Sequence, residues 1–233
     1  MSKTLDDKFF IFINEEQVIF SCLNKENEIS YTKKYSFINK VSKNLFSELE
    51  NFFNNNLIEI EKNLNDFVKK LYVIIDLKNN FSSSLSMNYN LKSENFDKQN
   101  ISDLLGNLKY QFNKYNDEYK IVHMVINKLF VNGEDQEALP MNTLFENVIL
   151  EVKFECLKNE IVNNIRKILS NYQISAEKFL LANYLRDYNQ DQTDNIVFSA
   201  SKIINGETKN EVLSIRKKPN KTGLFEKFFN FFS

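Results

Sequence analysis

The sequence predicts a mixed α+β fold that ends in an amphipathic helix. Three observations lead there. Short apolar runs rich in β-branched and aromatic residues recur along the chain. Segments whose apolar residues repeat at helical spacing stand between them. The closing stretch, KTGLFEKFFNFFS, separates phenylalanine from polar residues.

The first element pair is KFFIFINEEQVIFSCL, in which Phe9–Ile13 and Gln17–Cys22 read as strands across a polar turn. A half-exposed strand over residues 29–37 completes an antiparallel meander. Leu45, Leu49, Phe52 and Phe53 then recur at helical spacing, with Ser42 as the expected N-cap and a second short helix expected over residues 58–64. KLYVIIDL reads as a buried strand. The Ser/Asn-rich segment that follows reads as a loop or a weak exposed strand over residues 85–91. Leu104, Leu105, Leu108 and Phe112 mark a helix capped by Asn100 or Ser102. YKIVHMVINKLFV is a strand that ends in a turn at Gly133. VILEVKFECL is another strand, and KNEIVNNIRKILSNYQ is a helix with Ile161, Ile165 and Leu169 inward. ISAEKFLLANYLRDY predicts a short strand or turn and then a helix. After Tyr188 the pattern weakens, and residues 189–221 read as a flexible linker, mostly disordered or locally strand-like.

Composition narrows the function. The chain has 233 residues, 42% of them apolar, enough to bury a real core. Its 30 basic and 31 acidic residues argue against a surface devoted to nucleic acid. Cys22 and Cys156 are far apart and outside metal-type spacing, so both are expected as buried free thiols in a reducing cytoplasm. The N-terminal MSKTLDDKFF is acidic where a signal peptide needs an apolar core. No apolar run approaches the roughly 20 residues of a spanning helix. The expectation is an intracellular protein that does not cross a membrane.

Chemistry is sparse. Four glycines, at 106, 133, 206 and 223, cannot write a phosphate loop. The single histidine, His123, sits in an apolar strand and reads as structural or surface-exposed. The acidic pairs Asp6–Asp7, Glu15–Glu16 and Glu134–Asp135 fall in turns. No catalytic, cofactor or metal residue can be named, and the chain reads as a non-enzyme. The C-terminus is different. On a helical wheel Leu224, Phe225, Phe228, Phe229, Phe231 and Phe232 share an arc of roughly 160°. Glu226, Lys227, Asn230 and Ser233 fill the other side, and Thr222 can cap the start. Arg216, Lys217, Lys218 and Lys221 stand just before it. Docking on the protein's own core and a partner's groove are the competing readings. A tethered helix of this kind behind a basic cluster suits an anionic membrane surface.

The order of elements, with that tail, resembles the FtsA family, the actin-like cell-division proteins that tether the tubulin-like FtsZ to the inner membrane. FFIFINEEQVIFSCL stands where the family has its first phosphate loop. LFSELENFFNNNLIEIEKNLNDFVKKLYVIIDLKN is similar to its first long helix and following strand. Asn132–Gly133, Pro140–Met141, the strand over residues 150–154 and the next helix repeat a further ordered set. NYQISAEKFLLANY continues the pattern. The resemblance implies an actin-like, ribonuclease H-like first subdomain with a small inserted α+β subdomain. The departures imply no ATP binding. Phe12-Ile13-Asn14-Glu15-Glu16 stands where the family reads roughly Asp-Ile-Gly-Thr-Ser, and the second nucleotide-binding domain and FtsZ-binding surface have no counterpart after Tyr188.

The expected organisation is residues 8–82 plus 156–188 as an actin-like core subdomain. Residues 83–155 form an inserted interaction subdomain, 189–221 a linker and 222–233 the membrane-binding helix. The expected function is a non-catalytic, peripheral adaptor of the divisome on the cytoplasmic face of the inner membrane, at mid-cell. Its expected partners are the anionic membrane surface, other cell-division proteins with FtsZ among the candidates, and further copies of itself, without a cofactor. The alternatives are an actin-like scaffold of another envelope machine, such as a pilus platform, and a ligand-binding or enzymatic domain with an unreadable site.

Overall fold

In chain order the elements are β1 (Lys8–Asn14), β2 (Gln17–Leu23), β3 (Ile29–Ser36), α1 (Leu45–Leu64), β4 (Lys70–Asp76), β5 (Phe81–Asn90), α2 (Lys98–Tyr115), β6 (Tyr119–Val131), β7 (Glu134–Asp135), β8 (Asn147–Lys158), α3 (Asn159–Asn171), β9 (Ser175–Leu181), α4 (Ala182–Tyr188) and α5 (Ile196–Ile204). The computed structural model describes residues 7–37, 45–78, 80–90, 98–136, 146–188, 195–208 and 210–212. They group into two units, residues 1–79 with 159–207 and residues 80–158 with 208–233.

The first unit is built on β1. Its Phe9, Phe10, Ile11 and Ile13 are all buried, and successive strand residues point to opposite faces, so both faces of the sheet are covered. The same holds for Val73, Ile74 and Ile75 of β4. The sheet order is β3-β2-β1-β4-β9. β2 runs antiparallel to both neighbours, while β1, β4 and β9 are parallel. That order and sense are those of an actin-like, ribonuclease H-like subdomain. The antiparallel meander expected from the sequence is its first three strands.

Helices α1 and α3 pack on each other, as do α4 and α5, and the two pairs supply the cover. α1 buries Leu49, Phe52, Phe53, Asn56 and Ile60 along one face. It is one helix of 20 residues, which takes in residues 58–64 where a second short helix is expected from the sequence. The helix continues because Asn56 donates its side-chain amide to the Phe52 carbonyl at 2.8 Å, so a polar residue can face the core. Asn65, at φ 52°, ends it in the left-handed conformation. Ser42 lies outside the described residues. In α3 the inward face is Val162, Ile165, Ile168 and Leu169, and Ile161 is only half-buried, so the face is turned from the one expected.

Residues 196–204 correct the reading of 189–221 as a flexible linker. They form α5, with the Asn195 side chain accepting from the Val197 amide at 3.1 Å. Val197, Ala200, Ile203 and Ile204 are buried, and the small Ser199 and Ser201 are buried with them. Gly206, at φ 78°, turns the chain out of the helix. Lys8 Nζ reaches Ser201 Oγ at 3.2 Å and Asn205 Oδ1 at 2.6 Å, which ties α5 to the first strand of the chain.

The second unit is an antiparallel sheet in the order β5-β8-β6-β7 with α2 packed on it. Ile101, Leu104, Leu105, Leu108 and Phe112 of α2 join the core, where Phe112 stacks on Phe154 at 4.5 Å between ring centres. α2 begins at Lys98, so Asn100 and Ser102 lie within the helix and are not its caps. β5 starts at Phe81, earlier than expected, because β8 offers it a long unbroken ladder. Asn132 and Gly133, at φ 51° and 85°, form the two left-handed residues that a tight β6–β7 hairpin requires.

Both cysteines are free and buried. Burial pushes both thiols up, Cys156 from 9.0 to about 12. A thiol raised in this way stabilises the fold at pH values below about 9, and that contribution is lost as pH rises toward about 12. At pH 8 the thiolate fraction of Cys156 falls about 1000-fold. A disulfide-exchange reagent such as DTNB is therefore expected to titrate neither thiol in the native protein and both in guanidinium chloride. Rapid native labelling of Cys156 would contradict its placement in the core.

Candidate functional site

An open sheet with parallel strands binds ligands beyond their carboxyl ends, where loops diverge. In the first unit those ends are Asn14 of β1, Asp76 of β4 and Leu181 of β9, which leads straight into α4. The hairpin after β1 is where an actin-like subdomain presents backbone amides to phosphate. Here Asn14 closes the turn on itself. Its Oδ1 accepts from the amides of Glu16 at 2.9 Å and Gln17 at 2.8 Å. These two donors are thereby committed. The tip also carries the carboxylates of Glu15 and Glu16, and Glu15 Oε2 lies 3.1 Å from Lys78 Nζ.

The end of β4 is committed in the same way. Arg186 of α4 clamps Asp76 with two bonds, Nη1 to Oδ1 at 3.1 Å and Nη2 to Oδ2 at 2.5 Å. A third bond runs from Nη1 to Asn183 Oδ1 at 3.2 Å. The Asp76 hydrogen bond raises Arg186 above its ordinary value. A two-pronged guanidinium–carboxylate pair ties the last turn of α4 to the end of β4. It also spends the cation and the carboxylate that phosphate or magnesium would otherwise use. Among the described residues no group of three or more His, Cys, Asp or Glu side chains could hold a metal.

The second unit holds a buried ionisable pair that sequence reasoning missed. His123 is fully buried in β6, and its Nδ1 lies 3.0 Å from Glu211 Oε1, itself buried. The partner comes from far along the chain. Residues 210–212 add to β6 as a short antiparallel segment, with the Ile126 amide bonded to the Asn210 carbonyl at 2.9 Å and the Val212 amide to the Met124 carbonyl at 2.6 Å. Val212 enters the core of this unit. No local signal in the sequence pairs a strand histidine with a glutamate from the segment read as linker.

The membrane-binding residues expected from the sequence are Arg216, Lys217, Lys218, Lys221, Leu224, Phe225, Phe228, Phe229, Phe231 and Phe232. All lie outside the described residues. Among the described residues no helix is long and apolar enough to cross a membrane.

No family model matches the chain, and no curated protein matches it. Solved structures do match. The cytoplasmic domain of EpsL, an inner membrane component of the type II secretion system of Vibrio cholerae, is 8% identical over 77% of this chain and 57% of that one, with a TM-score of 0.39. A Bacteroides thetaiotaomicron protein of unknown function with an actin-like ATPase fold is 13% identical over 79% of this chain and 55% of that one, with a TM-score of 0.34. The PilM–PilN type IV pilus biogenesis complex is 7% identical over 78% of this chain and 49% of that one, with a TM-score of 0.47. The chain spans about half the length of these structures.

Proposed function

We propose that this protein is a non-catalytic, actin-like scaffold of a bacterial envelope machine, held at an anionic membrane surface by its C-terminal amphipathic helix. The observation that carries the non-catalytic part is the state of the strand ends. Asn14 occupies the amides of its own turn, and Arg186 occupies Asp76. Two glutamates stand where an incoming phosphate would need donors, and like charges repel. The membrane part rests on the segregated face 224–232 and the basic cluster before it.

Thermal unfolding with and without magnesium ATP tests the first part. No change in midpoint is expected, because a ligand stabilises only through the native state it binds. A rise of several degrees would mean that the strand ends open to nucleotide, and the scaffold reading would give way to an ATPase.

The machine itself has two candidates. The order of elements resembles the division protein FtsA, whereas the EpsL and PilM–PilN structures come from secretion and pilus systems. Location separates them. A fluorescent fusion that gathers in a mid-cell band supports division, with FtsZ or a neighbour of FtsZ as partner. Polar or uniform envelope signal supports a pilus or secretion platform.

A further inference from the structure

We infer that the free edge of β5 is a self-association surface, on which a second copy of this chain docks its own β5 antiparallel to form one continuous sheet. Sheet edges invite pairing, and proteins that must not pair blunt them with charge, bulges or cover. The other edges in this chain are managed in that way. β3 carries Lys33 and Lys34. β9 carries Glu177 and Lys178, and its register with β4 is broken by an irregularity. The outer edge of β6 is covered by residues 210–212 and by β7. Among the described residues β5 has none of these devices. Its ten residues, FSSSLSMNYN, include no charge and no proline, and its ladder with β8 runs without a register shift. Among the described residues no strand pairs with its outer side.

The sequence of β5 also favours itself as occupant. An uncharged strand offers nothing to select a charged foreign partner, and it places no like charges opposite each other when paired with its own copy. Register follows from the two faces. Phe81, Leu85, Met87 and Tyr89 lean on the core and stay partly exposed, while Ser82, Ser84, Ser86 and Asn88 face solvent. Residues directly opposite in an antiparallel pair share a face, so a two-fold axis must pass through a residue, not between two. An axis at Leu85 sets Leu85 against Leu85 and Phe81 against Tyr89 on the inner face. On the outer face it sets Ser84 against Ser86 and Ser82 against Asn88. Phe81, Leu85 and Tyr89 of each copy then cover one another, and Met87 stands against Ser83. An axis at Ser86 would set Leu85 against Met87 but put Ser83 against Tyr89 and carry Phe81 past the end of β5, a poorer match.

Charge placed on the outer face tests both pairing and register. Within one chain Ser84 stands beside Lys153 and Ser86 beside Glu151 on β8. Ser84→Glu with Ser86→Lys therefore suits its own sheet, and across the axis it sets glutamate against lysine. Ser84→Lys with Ser86→Lys sets lysine against lysine. Sedimentation velocity of the full chain is the measurement, over roughly 1 to 500 µM, since a contact of this size is small and weak. The wild type and the S84E/S86K variant are expected to shift from monomer to dimer with concentration. The S84K/S86K variant is expected to dissociate at least tenfold more readily. All three share the same C-terminal segment, so association through it would not distinguish them. A wild type that stays monomeric at the highest concentration overturns the proposal, as would a foreign strand or another part of this chain holding the edge. A dimer indifferent to both variants overturns it too.

Discussion

Replacing Phe228 and Phe229 by glutamate is expected to release the full-length protein from anionic vesicles. Burying a phenylalanine contributes about 1.5–3 kcal/mol, so losing two removes about 3–6 kcal/mol. That corresponds to a fall in partitioning of roughly 150- to 25,000-fold. The new carboxylates add repulsion from acidic lipid. The basic cluster behaves differently. Changing Arg216, Lys217 and Lys218 to glutamine removes about 1 kcal/mol for each charge near the surface, an effect that fades as salt is raised. Co-sedimentation at two salt concentrations reads both. The phenylalanine variant should lose binding at either salt, and the glutamine variant chiefly at low salt. If the phenylalanine variant still sediments with vesicles, the terminal segment is not the anchor, and docking on the protein's own core or in a partner's groove becomes the better account of its apolar residues.

The second large effect concerns the fold. Glu211→Ala is expected to cost about 1–3 kcal/mol, because it removes a hydrogen-bond partner from a buried polar side chain that stays out of water. His123 would stay fully enclosed in β6 with its carboxylate gone. The backbone bonds of residues 210–212 to Met124 and Ile126 should loosen with it. Hydrogen exchange at the Ile126 amide measures that loosening directly, and denaturant unfolding measures the free energy. Replacing both members together, His123→Phe with Glu211→Leu, should recover much of the loss, because exchanging both partners of a buried hydrogen bond for apolar groups leaves neither polar group unsatisfied. A Glu211→Ala protein within about 0.5 kcal/mol of the wild type, the ordinary range for a surface change, would show that the pair is not structural. The pair also bears on the proposed function. It pins Glu211 and its neighbours to β6 of the second unit, a few positions in sequence before the basic cluster that begins at Arg216.

The differences between sequence and structure share a cause. β1, β4 and α2 were legible because their apolar residues follow a period that local geometry imposes. α5 was not, although Ile196, Val197, Ala200, Ile203 and Ile204 keep a helical spacing. Its nine residues are short, rich in β-branched side chains and flanked by polar stretches, so local preference is weak and packing decides. The second short helix expected over residues 58–64 is the continuation of α1, whose buried Asn56 finds its partner one turn back. At the candidate site, the loss of glycine and the gain of Glu15 and Glu16 already argued against phosphate. That Asn14 would take up the turn's own amides, and that Arg186 would close on Asp76 from 110 residues away, could not be read from spacing.

By itself, the sequence determined most of the strands and helices, the missing phosphate loop and the segregated C-terminal face, because each depends on residues within a few positions of one another. Only the tertiary structure decided the sheet order, the closure of the strand ends, the burial of α5 and the joining of Glu211 to His123. Those outcomes depend on which distant segments meet, and a group buried in such a meeting is stable only where the partner it finds there satisfies it.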